Sequence, residues 1–244
     1  DTPITADDWQ RPAARRLFQY LVLNQGKPLP RDRILEDLWP NSTPDAARSS
    51  FKTVYSWLRK AIEPYLRPKS SSRYIQVDQE TYTFNPQRSP AILHSDVAKF
   101  EAVVKAVLKD ADNYDVRPMP ADFIATLDGW KPLLPELSYE PWILDTRERL
   151  QNLYVQGCLY AASAMLDIDK PIDAASWAER VITVAPWSEE GWQELIRAQA
   201  RQGNRTLALK SYEAAVAALK RELDAPPSSV LEWLAKRLRA DEEI

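Results

Sequence analysis

The chain has 244 residues, 45% of them hydrophobic and 27% charged, with a formal net charge of −3 and one cysteine. That length exceeds the common single-domain size at an ordinary apolar content, so two globular domains are expected. A lone Cys158 excludes an intrachain disulfide and points to a reducing, cytoplasmic compartment, and no run of about 18 apolar residues or signal-peptide pattern indicates membrane insertion or secretion.

The first periodic segment places Ala13, Ala14, Leu17, Phe18, Leu21 and Val22 at helical intervals and ends near Gly26. From Arg31 a second helix carries Ile34, Leu35, Leu38 and Trp39 as a one-sided stripe and stops at Pro40. Thr43-Pro44-Asp45 then reads as a helix start: a hydroxyl at the N-cap, a proline whose missing N–H costs nothing in the first turn, and a carboxylate that suits the dipole.

Along this third helix, Ala47, Phe51, Val54, Leu58 and Ile62 make one buried face. Arg48, Lys52, Tyr55 and Arg59 form an adjacent stripe with Ser49 and Ser56 beside it. In a major groove, Arg takes a guanine edge bidentately and Lys a phosphate. Alone, such a stripe reads as a solvated helix face, because basic stripes are common on exposed helices. The context reverses that reading. A turn-rich connector from Pro64 to Arg73 leads to two β-like runs, 74–77 and 81–85, with Asp78-Gln79-Glu80 between them; Ile75 and Val77 alternate on the first, Tyr82 and Phe84 on the second. Three helices followed by a small hairpin is the winged helix-turn-helix order, and Arg73 joins the candidate DNA-contacting residues at the wing. Trp57 is placed nearly opposite the buried face, as an exposed tryptophan for packing rather than for base contact.

Charge divides with the chain. Residues 1–93 hold fourteen Lys/Arg against ten Asp/Glu, a net of +4, and the remainder eighteen against twenty-five, a net of −7. The positive end is the helix-turn-helix end, as phosphate binding favours.

The second half is expected to be helical almost throughout. His94-Ser95-Asp96 starts a helix carrying Val97, Phe100, Val103, Val104 and Val107. A proline-rich interval from 116 to 141 holds a short helix near 122–129, and long helices follow at about 141–166, 171–185, 188–202, 205–223 and 227–240. Two of these repeat at a period of 34: Ala174 matches Ala208, Ala178 matches Tyr212 and Val181 matches Ala215, with Pro186 and Gly203 as breaks. This is the tetratricopeptide register, in which small residues permit close helix crossing. Trp130, Trp142, Trp177, Trp187, Trp192 and Trp233 read as inter-helix packing or a domain-interface seam rather than a ligand cage. Arg147, Glu148 and Arg149 read as a solvated face with some ion pairing, and Cys158, among apolar neighbours, as a core residue.

Catalytic signatures are thin. The single histidine has no Cys partners and makes no zinc site, and no GxxxxGK[ST] loop is present. Asp7-Asp8 and Glu242-Glu243 sit at the chain ends. No nucleophile, base and orienter combine, so neither an enzyme nor a cofactor is expected.

The order of these features resembles the Streptomyces antibiotic regulatory protein (SARP) family, transcriptional activators that join an OmpR-like winged helix to a bacterial transcriptional activator domain. The resemblance lies in RDRILEDLW from Arg31, Ala47-Arg48 through Leu58-Arg59, Tyr82, HSDVAKFE from His94, Trp130 to Leu134, Pro186, GNRTLALKSYE from Gly203, Arg221-Glu222-Leu223 and Pro226-Pro227-Ser228. Glu80-Thr81 stand where the family usually has glycines before the wing aromatic, and Trp57 stands where it often has a basic residue.

The expected fold is therefore mainly α: a winged helix-turn-helix domain in residues 1–91, its N-terminal strands missing, followed by an all-α tetratricopeptide-like domain in 92–244. The resemblance implies an activator that binds promoter repeats on double-stranded DNA and recruits RNA polymerase, its helical domain serving dimerisation or regulation. It also implies strands before Thr2 and a place upstream for a sensor, receiver or ATPase module. The alternative is a helical-repeat adaptor whose winged helix makes protein contacts only; the charge split and the Arg48, Lys52, Arg59 stripe favour the regulator.

Overall fold

In the computed structural model, the described residues are 9, 11–67, 70–84, 95–109 and 117–244. His94 and the Asp7-Asp8 pair lie outside them. The chain divides into two compact units, residues 1–94 and 95–244.

The first unit builds three helices and a small sheet. Helix α1 (Pro12–Leu23) opens on a proline in its first turn and buries Ala14, Leu17, Tyr20 and Leu21. Gly26 ends the following turn at φ +77°, a left-handed conformation that a side chain resists, and its N–H donates to the Phe84 carbonyl at 2.9 Å. Strand β1 (Leu29–Pro30) follows, then α2 (Arg31–Leu38), which buries Ile34, Leu35 and Leu38. Arg16 of α1 donates to the Leu38 carbonyl at 2.6 Å, satisfying one of the acceptors left open at the end of α2.

Helix α3 (Pro44–Ile62) buries Ala47, Phe51, Val54 and Leu58. Thr43 occupies its N-cap with extended backbone, but its hydroxyl caps nothing. Pro44 stands at the first helical position, where its missing N–H would have no partner, and the first helical bond runs from Ala47 to the Thr43 carbonyl at 2.9 Å. The hairpin is β2 (Ile75–Asp78) and β3 (Thr81–Phe84), antiparallel with Ile75 opposite Phe84 and Val77 opposite Tyr82. Alternation puts Val77 on the same face as the buried Ile75, yet it is 46% exposed. The sheet order is β1-β3-β2, with Leu29 opposite Tyr82. The sequence reading lacked β1, whose Pro30 has no ladder donor and is tolerated because the strand lies at the edge.

The second unit is all-helical: α4 (Asp96–Lys109), α5 (Ala121–Asp128), a 3₁₀ turn at Pro135–Leu137, α6 (Pro141–Asp167), α7 (Pro171–Val184), α8 (Glu189–Arg201), α9 (Arg205–Leu223) and α10 (Ser229–Arg239). Ser95 caps α4, its hydroxyl accepting the Ala98 N–H at 3.2 Å. Helices α4 and α5 pack on α6, where Gly157 leaves room for Leu127 and Val104. From α6 onward each helix packs on the next as far as α9, and α10 closes on α8 and α9. The 34-residue register holds in this packing. Ala174, Ala178 and Val181 of α7 and Ala208 and Ala215 of α9 are all fully buried, and Gly191 lets α8 approach α7 closely.

Trp130 stacks on Tyr154 at 4.1 Å, Trp177 and Trp192 are buried, and Trp142 bonds the Glu140 carboxylate at 2.9 Å. Trp187 and Trp233 depart from the packing expectation at 42% and 49% exposed. Arg147 departs from the solvated-face expectation: it donates to the Leu133 carbonyl at 2.7 Å and to that of Leu134, a residue held at φ +44°. Arg149 pairs with Glu101.

Candidate nucleic-acid interface

The amphipathic division of α3 sets the geometry. With its apolar face against the core, the opposite flank exposes Arg48, Ser49, Lys52 and Ser56. Eight residues separate Arg48 from Ser56, about 12 Å along the helix, which matches roughly three to four base-pair steps. Arg48 stands within 3.7 Å of the Asp45 carboxylate one turn earlier, an exposed pair that a DNA phosphate or base edge can replace at little cost.

Two residues of the sequence-derived stripe have other partners. Tyr55 is half-buried, its ring parallel to Phe51 at 5.8 Å and edge-on to Tyr82 at 5.2 Å. Burial pushes its hydroxyl up to about 12, against a weaker opposing pull from the Arg59 charge. The tyrosine thus ties α3 to the wing. Arg59 is half-buried too and donates to the Ser70 carbonyl at 2.5 Å. Arg73 is exposed, while its backbone N–H is held by Glu63 Oε1 at 2.8 Å.

Trp57 corrects the sequence reading. It is half-buried, not exposed opposite the core, with the Lys60 ammonium 4.7 Å from its ring centre. At 100° per residue it lies about 100° from the centre of the buried face, on its flank and opposite the basic stripe. Lys60 shields it by a cation–π contact.

The wing turn takes a form without glycine. Gln79 adopts φ +52° and the next residue, Glu80, is fastened to α2: its carbonyl accepts the Arg31 N–H at 2.7 Å and its carboxylate meets the Arg31 guanidinium at 2.6 Å. Sequence reasoning missed Arg31, Glu80, Glu63 and Ser72. The one available signal was Glu63, a carboxylate at the negative end of a helix dipole, where it is unfavourable without a partner.

Among the described residues there is no cluster of three or more His, Cys, Asp or Glu able to hold a metal, and no helix is long and apolar enough to cross a membrane. Cys158 is fully buried.

A helix-turn-helix with a sheet-backed wing, followed by a helical-repeat unit, defines a two-unit protein of the winged-helix class. Two family models match in the same order: "Transcriptional regulatory protein, C terminal" over residues 10–82 and "Bacterial transcriptional activator domain" over residues 95–239. The chain belongs to the bacterial transcriptional activator domain family, in the SARP arrangement. Its fold is similar to that of Mycobacterium tuberculosis EmbR, solved in complex with a low-affinity phosphopeptide, with a TM-score of 0.78 at 21% identity. That match covers 100% of this chain and 62% of EmbR, so the chain spans less than two thirds of its structural relative. No curated protein matches the sequence.

Proposed function

We propose that this regulator is a sequence-specific transcriptional activator that reads promoter DNA with α3 in the major groove. The carrying observation is the exposed strip of Arg48, Ser49, Lys52 and Ser56 on the flank of α3 turned away from its core. In this reading Arg48 takes a base edge and Lys52 a phosphate. Ser49 and Ser56 contribute adaptable hydroxyls, Tyr55 and Arg59 support α3 from its wing side, and Arg73 meets the phosphate backbone beside it. The helical unit serves dimerisation or regulation and brings RNA polymerase to the promoter.

The test is fluorescence anisotropy of the chain on a duplex it has itself selected from a randomised library, measured at increasing salt. Affinity is expected to fall steeply, since each neutralised phosphate releases counterions. Arg48→Ala is expected to cost about 1–3 kcal/mol on the selected duplex and little on random DNA, and Lys52→Ala to weaken both alike and flatten the salt slope by about one. Absent or salt-insensitive binding refutes the reading.

A further inference from the structure

After α3 the chain turns back to enter β2, and two side chains of α3's last turn govern that turn. Glu63, at the C-cap, accepts the Arg73 N–H through Oε1 at 2.8 Å and the Ser72 hydroxyl through Oε2 at 2.5 Å. Ser72 Oγ in turn accepts the N–H groups of Tyr74 at 3.2 Å and Ile75 at 3.0 Å. Four residues before Glu63, Arg59 donates to the Ser70 carbonyl at 2.5 Å. Three hydrogen bonds therefore fix residues 70–73 against the end of α3, and two more brace the turn from Ser72 to Ile75, although β2 already has its ladder with β3 and a buried Ile75. The fixed segment displays an exposed Arg73, and the turn before it displays an exposed Arg67 and a 97% exposed Tyr65.

We propose that Arg59 and Glu63 are positioning residues of the DNA grip, holding residues 70–73 so that Arg73 meets a backbone phosphate at a fixed place relative to the α3 strip. This rests on the DNA-binding reading above. A cation on a loop already ordered loses less freedom on binding than one on a loose loop, so the clamp raises the phosphate contact's net contribution. The clamp also predicts a sign opposite to simple electrostatics. Removing a carboxylate beside a polyanion strengthens binding if charge alone matters, whereas removing this carboxylate weakens it.

The experiment measures the affinity of the full chain for its selected duplex across salt concentrations, with Glu63→Ala, Glu63→Gln, Arg73→Ala and the Glu63→Ala/Arg73→Ala double variant. Arg73→Ala is expected to weaken binding roughly tenfold and to flatten the salt slope by about one. Glu63→Ala is expected to weaken it by a similar factor despite the lost negative charge, and the double variant to bind no more weakly than the weaker single. Glu63→Gln, whose amide oxygen still accepts the Arg73 N–H, is expected to recover most of the affinity. Should Glu63→Ala fail to fold by circular dichroism, Ser72→Ala takes its place: it removes three bonds of the turn and no charge, and is expected to weaken binding, with wild-type affinity overturning the inference. The inference is overturned if Glu63→Ala binds as the wild type or tighter, or if Arg73→Ala costs as much in the Glu63→Ala background as alone. Loss of all DNA binding by the wild-type chain instead overturns the DNA reading, and this inference with it.

Discussion

Replacing Gly191 by alanine sets two effects of opposite sign against each other. Gly191 lies in the first turn of α8, where its N–H bonds the Ser188 hydroxyl at 3.2 Å. Helix propensity alone favours alanine by up to about 1 kcal/mol. The new methyl, however, would sit 2.6 Å from Val181 Cγ1 and 3.2 Å from Ile182 Cγ2 on α7. Carbon atoms in van der Waals contact stand about 3.5–4.0 Å apart, so α7 and α8 must separate by roughly 1 Å or Val181 must leave its rotamer. Val181 is fully buried, so any movement it makes must displace core neighbours. Overpacking of this kind costs about 1–3 kcal/mol, so against the propensity gain a net loss of up to about 2 kcal/mol is expected. Urea unfolding of the full chain, followed by far-ultraviolet circular dichroism, measures it. Val181→Ala alone also destabilises, by opening a cavity, but in the double variant the two costs should partly cancel because the alanine methyl enters the space vacated. A Gly191→Ala chain as stable as the wild type or more so, or two costs that simply add, would refute a tight α7–α8 contact at this position.

Two further outcomes follow from local chemistry. Burial pushes the Cys158 thiol up to about 12 from its ordinary 9, so it should ignore a thiol-exchange reagent at pH 8 in the native chain and react fully in denaturant. Because the unfolded thiol ionises first, its contribution to stability is complete below pH 9 and declines from there to about pH 12; Tyr55 adds to the decline from pH 10. Stability that rises between pH 9 and 11 would contradict this. Gln79→Gly relieves the left-handed backbone at the wing turn and is expected to raise stability by up to about 1 kcal/mol, read from the midpoint of thermal unfolding; a clear loss would show that the Gln79 side chain has a role at the tip.

The helices were legible because each repeats apolar residues at its own period, and α3 and α7 to α10 show that period within a residue or two of their ends. Strand β1 was not legible: two residues carry no period, and their partners lie more than fifty positions away. The site was legible in part for the same reason. Helical angle places Arg48, Lys52 and Arg59 on one stripe, but it cannot show that the returning connector arrives at the C-terminal end and takes Arg59 for itself. Arg147 followed the same course. Its neighbours in sequence suggested a solvent face, while its actual partners are two carbonyls of the Leu133-Leu134 turn. Trp57 shows a finer limit, since an error in its assigned angle separates an exposed ring from one lying along the edge of a core.

The wing is fastened at both of its ends. Gly26 bonds the Phe84 carbonyl at one, Arg31 holds Glu80 at the other, and β1 lies along the strand between them. A hairpin secured in this way resists swinging to meet a groove of a different width, so on the proposed DNA-binding reading helix and wing would approach the duplex as one template. The adjustment would then fall to the DNA. Sequences that bend or narrow easily to that template would be preferred even at positions no side chain touches, and part of this regulator's selectivity would lie in the stiffness of its target.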